Sequence, residues 1–223
     1  MQFDIISIFP ESFASYFGVS ILKRAQEDRL IEIHTHNVRD YAYDKHKTVD
    51  DTPYGGGAGM VLKPEPLAEA IEDVRNKTGG RTRIIVFSAK GKPYAQEDAR
   101  RLAAEYDRLI LVCGRYEGID ERVVELFADE EFSIGEYVLT GGEIPAMIVV
   151  DSVARLLPGV LGNEISAETE SHTEEGVVEY PQYTKPEEFR GARVPDVLLS
   201  GHHKRIEEWR KDQSEEMTRK RNK

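Results

Sequence analysis

The sequence predicts an α/β fold built on a parallel sheet, and three observations carry that prediction. Short apolar runs recur along the chain, stretches of helical periodicity separate them, and several runs end in small-residue turns. Strands alternating with helices form βαβ units, and the turns that follow parallel strands are where such sheets collect ligands.

The first strand is expected at residues 3–9 (FDIISIF), closed by Pro10. Residues 12–27 then place Phe13, Tyr16, Phe17, Ile21, Leu22 and Ala25 at helical spacing, with Gly18 as the weak point of that helix. A second strand spans residues 31–37, ahead of a polar stretch over 40–52. Helices at 66–77 and 95–105 bracket a strand at 83–87, and residues 108–112 (RLILV) form another. Asp120 is placed to cap a helix that begins at Glu121 and turns Val123, Val124 and Phe127 inward. Residues 144–157 are apolar and helical.

After Pro158 the character changes. Residues 163–190 hold eight acidic residues against two basic ones, the composition either of a linker that a partner orders or of an ordinary acidic surface loop. A last helix centres on Ile206 and Trp209. Residues 201–223 carry eight Lys or Arg against five Asp or Glu, which fits an RNA or partner contact as well as a solvated terminus.

Composition bounds the function. At 223 residues the chain can bury a real core, as one domain or as a large domain with a small one. With 30 basic residues against 41 acidic ones the net charge is -11, which argues against indiscriminate polyanion binding but leaves room for a local basic patch. The single cysteine, Cys113, excludes an internal disulfide and suits a reducing compartment. There is no signal-peptide pattern and no apolar run of membrane-spanning length, so the cytoplasm is the expected location and no membrane the expected partner.

The informative motifs are rich in glycine. Pro53-Tyr54-Gly55-Gly56-Gly57-Ala58-Gly59-Met60 suits a compact anion or ribose cradle, but no Gly-Lys-Ser/Thr follows, so it is not a Walker A loop. Phe87-Ser88-Ala89-Lys90-Gly91 and Cys113-Gly114-Arg115-Tyr116-Glu117-Gly118 each follow an apolar strand and qualify as pocket walls. Ile134-Gly135-Glu136-Tyr137 and Leu139-Thr140-Gly141-Gly142 continue the series. No helix-opening GxGxxG is present, so a nucleotide-like ligand without phosphates fits better than a dinucleotide. Arg115 and Glu117 either bind substrate or a neighbouring subunit, or belong to a structural Arg-Glu network. His34, His36, His46, His172, His202 and His203 form no familiar zinc spacing, and no metal site is expected. Ser88 is not in a GxSxG elbow, and Cys113 is as easily a packed residue as a nucleophile.

Taken together, the 53–60 loop, residues 113–122 (CGRYEGIDER), residues 133–143 (SIGEYVLTGGE) and residues 180–186 (YPQYTKP) closely resemble the bacterial tRNA (guanine-N1)-methyltransferase family, TrmD, of the SPOUT superfamily. The resemblance runs in order from Ile8-Phe9-Pro10 to Leu198-Leu199-Ser200-Gly201-His202-His203. It implies a deep trefoil knot toward the C-terminal side of the first domain, followed by a small, mainly helical domain. It divides the chain into a cofactor-binding catalytic domain over 1–162, a linker over 163–180 and a basic tRNA-binding domain over 181–223. The implied reaction moves a methyl group from S-adenosylmethionine to N1 of guanosine 37 in tRNA, preferentially after a guanosine at 36. The implied assembly is a homodimer with active sites at the subunit interface, and a magnesium requirement comes with no site assigned.

By the same resemblance, Phe87, Ser88, Gly114, Ile134, Tyr137, Leu139, Gly141 and Gly142 surround the cofactor, with Gly57, Arg115, Glu117 and Ser171 as pocket support. Arg155 is the cation that steadies charge on guanine O6. The general base falls in Glu170-Ser171-His172-Thr173-Glu174-Glu175-Gly176, where the family has aspartate before serine and a stretch one residue shorter. Glu170 matches by its serine neighbour, Glu174 is the alternative, and His172 is a third candidate. That departure keeps open a related methyltransferase with a different RNA target, and a non-catalytic RNA-binding dimer stands as the alternative of another class.

Overall fold

In the computed structural model, which describes residues 1–77, 79–162 and 177–221, five strands assemble into one parallel sheet. They are β1 (Gln2–Ser7), β2 (Glu32–Asn37), β5 (Thr82–Pro93), β6 (Arg108–Val112) and β7 (Glu130–Ser133), in the order β2-β1-β6-β5-β7. A two-residue ribbon, β3 (Asp50–Asp51) with β4 (Val61–Leu62), stands apart. Every residue of central β6 is buried, as a strand covered on both faces requires. Alternate side chains divide between two cores: Leu109 and Leu111 join one cluster, Ile110 and Val112 the other.

Helices cover both faces. On the Leu109 side lie α2 (Ser20–Glu27), α4 (Gln96–Glu105) and α6 (Glu143–Ala154), through Leu22, Leu102, Val149 and Val153. On the Ile110 side lie α3 (Pro64–Asn76) and α5 (Glu121–Phe127), through Leu67, Ile71, Val74 and Val123. Asp120 caps α5 as expected, its Oδ1 accepting the Arg122 amide at 3.0 Å.

Three expectations need correction. The single helix over 12–27 is broken into a 3-10 turn (Pro10–Phe13), a short α1 (Ala14–Phe17) and α2. Gly18 closes the first piece on the Ala14 carbonyl, and Val19 leaves it extended, consistent with the poor helix propensity of glycine. Strand β7 was not anticipated, because Glu130-Glu131-Phe132-Ser133 has no apolar run. It forms because Phe132 is buried and Glu130 is held by Arg83 and Arg101, each at 2.6 Å. Strand β5 also continues past the expected 83–87, with a register shift between Phe87 and Lys92.

Across β1, β2 and β6 the sheet buries a charged cluster. Arg108, 2% exposed, donates from Nε to Asp4 at 2.6 Å and from Nη2 to the Val74 carbonyl at 2.7 Å. His36 meets the other Asp4 oxygen at 2.7 Å. Burial by itself would raise the Asp4 carboxyl, but hydrogen bonds from His36 and Arg108 and their charges outweigh it and hold the group below its ordinary 3.8. A carboxyl depressed on folding adds stability above that value and loses it as pH falls further. Asp4→Asn leaves Arg108 buried without its counter-charge, so chemical denaturation at pH 7 should show a loss of about 3–5 kcal/mol. That difference should shrink below pH 3.8, where the native carboxyl itself becomes protonated. An unchanged midpoint at pH 7 would show that the pair is not holding the sheet.

The chain divides into two compact units, the first being residues 1–162, and the described residues 177–221 belong to the second. The second contains a small hairpin, β8 (Glu188–Phe189) with β9 (Ala192–Arg193), a helical turn α7 (Asp196–Leu199) and a long helix α8 (His203–Arg221). Residues 178–183 lie along α8: Val178 bonds Thr218 and Ser214, Arg210 stacks on Tyr180, and Tyr183 meets Trp209.

Candidate cofactor cavity

The irregular stretch of β5 at residues 87–91 and the loops that follow β6 and β7 enclose a cavity of about 460 Å³, within the size range of small-molecule sites. Phe87, Ser88, Gly114, Ile134, Tyr137, Leu139, Gly141 and Gly142 all line it, with Arg115 and Glu117. The sequence spreads these residues over 56 positions, and the parallel sheet brings them together because β6 and β7 flank β5 and its register shift falls where β6 ends.

The walls are fixed by close backbone crossings. Gly142 donates its amide to the Gly114 carbonyl at 2.9 Å, and Arg115 forms an antiparallel bridge with Gly141. A Cβ on Gly142 would fall 2.7 Å from Cys113 Cα, and one on Gly91 would fall 2.7 Å from the Glu131 carbonyl oxygen. These glycines serve chain passage more than flexibility.

Arg115 is part of a built network. Its Nε lies 2.9 Å from Glu143 Oε2, close enough for an ion pair though not aligned as a hydrogen bond. Its Nη1 donates to the Thr140 carbonyl at 3.2 Å, and its guanidinium covers the Phe9 ring at 4.8 Å. Glu143 is 3% exposed and accepts from Ser7 Oγ at 2.7 Å. Of the readings open for Arg115, the structural ion pair is thus present, with Glu143 as the partner, and it also shapes the cavity wall. The role of Glu143 escaped the sequence, where it stood only as the last letter of a glycine motif.

The same side of the cavity bears on Cys113. The residue is fully buried, and burial first, then the neighbouring Glu143 charge, push its thiol well above the ordinary range. A thiol so suppressed is no nucleophile. Cys113 is a packed residue.

Other expected residues lie apart. Gly57 is in the exposed 53–60 loop, which is not part of the lining. That loop is nonetheless anchored to the cavity: the Glu117 amide donates to the Met60 carbonyl at 2.9 Å, and the Glu117 side chain lies where a Cβ on Gly59 would stand. Arg155 is the C-cap of α6, whereas the lining reaches that helix only at Pro145. Ten residues of helix separate them, about 15 Å along the axis. Glu170, Ser171, His172 and Glu174 fall outside the described residues.

The lining chemistry fits a cationic cofactor. Glu117, Glu121 and Glu131 face it against Lys90 and an Arg115 already paired with Glu143. Lys90 is paired with Glu121 and Glu131, so neither cation of the wall is left free for a phosphate, while the carboxylates suit a sulfonium.

A family model described as tRNA (Guanine-1)-methyltransferase TrmD matches residues 1–223. The chain belongs to this family. Similar curated proteins include the tRNA (guanine-N(1)-)-methyltransferases of Desulforamulus reducens, Pelotomaculum thermopropionicum and Halalkalibacterium halodurans. They are 55%, 56% and 53% identical, over 96% of this chain in each case and 84%, 85% and 86% of their own lengths. TrmD proteins are SPOUT enzymes whose α/β domain carries a trefoil knot, and the crossings at Gly91 and Gly142 lie where loops pass closely. The TrmD reaction uses S-adenosylmethionine to methylate guanine N1 at position 37 of tRNA, and this chain is an enzyme of that class.

Proposed function

We propose that this chain performs the TrmD reaction in the cavity between β5, β6 and β7, with Arg155 and Glu170 completing the site across a homodimer. The observation that carries the reading is the convergence of the three glycine-bearing loops on one acid-lined cavity. Main-chain groups around Phe87, Gly114, Ile134, Tyr137 and Leu139 hold adenine and ribose, and the close approach at Gly141 and Gly142 admits the methionine moiety.

S-adenosylmethionine, when bound, supplies an already activated methyl group. The protein's task is therefore at the guanine, whose N1 carries a proton and is a poor nucleophile. Glu170 accepts that proton, and Arg155 donates to O6, where negative charge develops. Recognition of a preceding guanosine 36 belongs to the same reading.

The dimer is supported by one face of α6. Ile144 and Ile148 are 54% and 38% exposed although α6 is otherwise strongly apolar, and Asp151 and Arg155 continue that stripe at helical spacing. A two-fold contact through this face pairs identical patches. It also explains how Arg155, some way along the helix from its own cavity, serves a site built from two chains. Magnesium stimulation is part of the reading without an assigned site; among the described residues no group of three or more potential ligands occurs. We place the reaction in the cytoplasm, where tRNA and the cofactor meet. Among the described residues no helix is long and apolar enough to cross a membrane.

The test is subunit complementation. Arg155→Ala and Glu170→Gln chains, each inactive alone, are co-expressed with different tags and purified as mixed dimers. A site drawing one residue from each chain is intact once per mixed dimer, so about half of wild-type methyl transfer to unmodified tRNA should return. Mixed dimers that stay inactive would place both residues in one chain. Wild-type protein that transfers no methyl to tRNA bearing G37 would end the reading.

A further inference from the structure

The hairpin of the second unit carries a feature that neither its folding nor the cofactor cavity uses. Strands β8 and β9 pair Glu188 with Arg193 and Phe189 with Ala192, leaving Arg190-Gly191 as a two-residue turn. Both turn residues are left-handed, with φ of 51° and 84°. That is the tight hairpin geometry in which Asn-Gly is favoured, because asparagine tolerates the left-handed region and most other side chains avoid it. Arginine is a poor choice for the turn itself.

Its surroundings suggest what it is for. The Arg190 guanidinium lies 5.2 Å over the Phe189 ring. That ring is 63% exposed, at a position where no core claims it. Arg193, two positions beyond the turn, is held by Glu187 and Glu188, whereas among the described residues no carboxylate pairs with Arg190. The hairpin tip thus presents an exposed aromatic ring with a planar cation, paired with no carboxylate among the described residues, over one of its faces. Unpaired nucleotides are gripped by that combination: a base stacks on the ring or the guanidinium plane, and the cation meets a phosphate.

We propose that Phe189 and Arg190 form a nucleotide clamp that holds an unpaired base of the RNA substrate and an adjoining phosphate. The proposal rests on the methyltransferase reading above, because that reading supplies the RNA. The clamp positions the substrate and takes no part in the chemistry.

The experiment compares the full-length protein with Phe189→Ala, Phe189→Trp and Arg190→Asn. Measurements are equilibrium binding to unmodified tRNA over a salt series, steady-state methyl transfer, cofactor affinity and thermal stability. Phe189→Ala should weaken tRNA binding about tenfold, seen as a raised KM with kcat and cofactor affinity retained, and Phe189→Trp should restore it. Arg190→Asn suits the turn better, so the protein should melt no lower than wild type while its tRNA affinity falls and the salt slope drops by about one. A merely structural role moves stability and binding together. Equal tRNA affinity in all variants overturns the clamp while leaving the methyltransferase reading intact, since wild-type methyl transfer is measured alongside. Altered self-association with unaltered tRNA binding overturns it in favour of a protein contact.

Discussion

Glu170→Gln is expected to lower methyl transfer by about 10²–10⁴-fold while leaving S-adenosylmethionine affinity unchanged. The substitution keeps size and hydrogen-bonding reach but removes the ability to take a proton, and the N1 proton of guanine must leave before its lone pair can attack. Glutamate and aspartate ionise in the same range, so the departure from the family's aspartate is one of reach. One extra methylene moves the carboxylate by an amount that would cost on the order of a hundredfold if uncompensated. The added residue before Gly176 lies in the same stretch. Single-turnover methylation, paired with calorimetric titration of the cofactor, separates the outcomes. Full activity in Glu170→Gln with loss in Glu174→Gln would move the base to Glu174.

Gly142→Ala should both destabilise the protein and cripple cofactor binding. The Gly142 backbone, at φ -84° and ψ -2°, is open to any residue, so conformational preference is not the obstacle. The obstacle is space: the added methyl would sit 2.7 Å from Cys113 Cα and 3.0 Å from the Gly114 amide nitrogen. Both are main-chain atoms of a buried strand end and cannot swing away. Overpacking of this kind costs about 1–3 kcal/mol or more, which lowers the melting temperature of a chain this long by several degrees. Any relief must come from parting the 113–115 and 141–142 segments, which are themselves cavity walls. Cofactor affinity should therefore fall at least about tenfold, a difference of roughly 1.4 kcal/mol. Gly141→Ala is the control. Its methyl would meet the Arg115 and Glu143 side chains, so it should disturb the ion pair and cost less stability. Equal melting temperatures for Gly142→Ala and wild type would show that the crossing is looser than these distances.

Much of the architecture was legible because parallel strands write themselves as apolar runs. RLILV at 108–112 is a strand with the bounds expected of it, and Asp120 caps the helix it precedes. Strand β7 was illegible because its stability comes from Arg83 and Arg101, respectively 47 and 29 residues from Glu130, and no local pattern encodes such a pairing. The break at Gly18 was half legible: the weak residue was visible, the chain's exit at Val19 was not.

The cavity shows the same division. Its glycines announced close backbone approach, and their motif order carried the family resemblance. What they approach was decided elsewhere. Gly142 needs to be glycine because Cys113 and Gly114 pass beside it, and Arg115 is oriented because Glu143 and Ser7 are buried across from it.

By itself, then, the sequence determined the alternation of strands and helices, the glycine turns and the family to which they belong, since each is written in local order. Only the tertiary structure decided which loops share a cavity, which charges are paired and that Arg155 stands some way along α6 from the Pro145 edge of that cavity. The physical reason is that contacts between residues far apart in the chain depend on strand order and chain crossing, and the sequence lists residues without listing their neighbours in space.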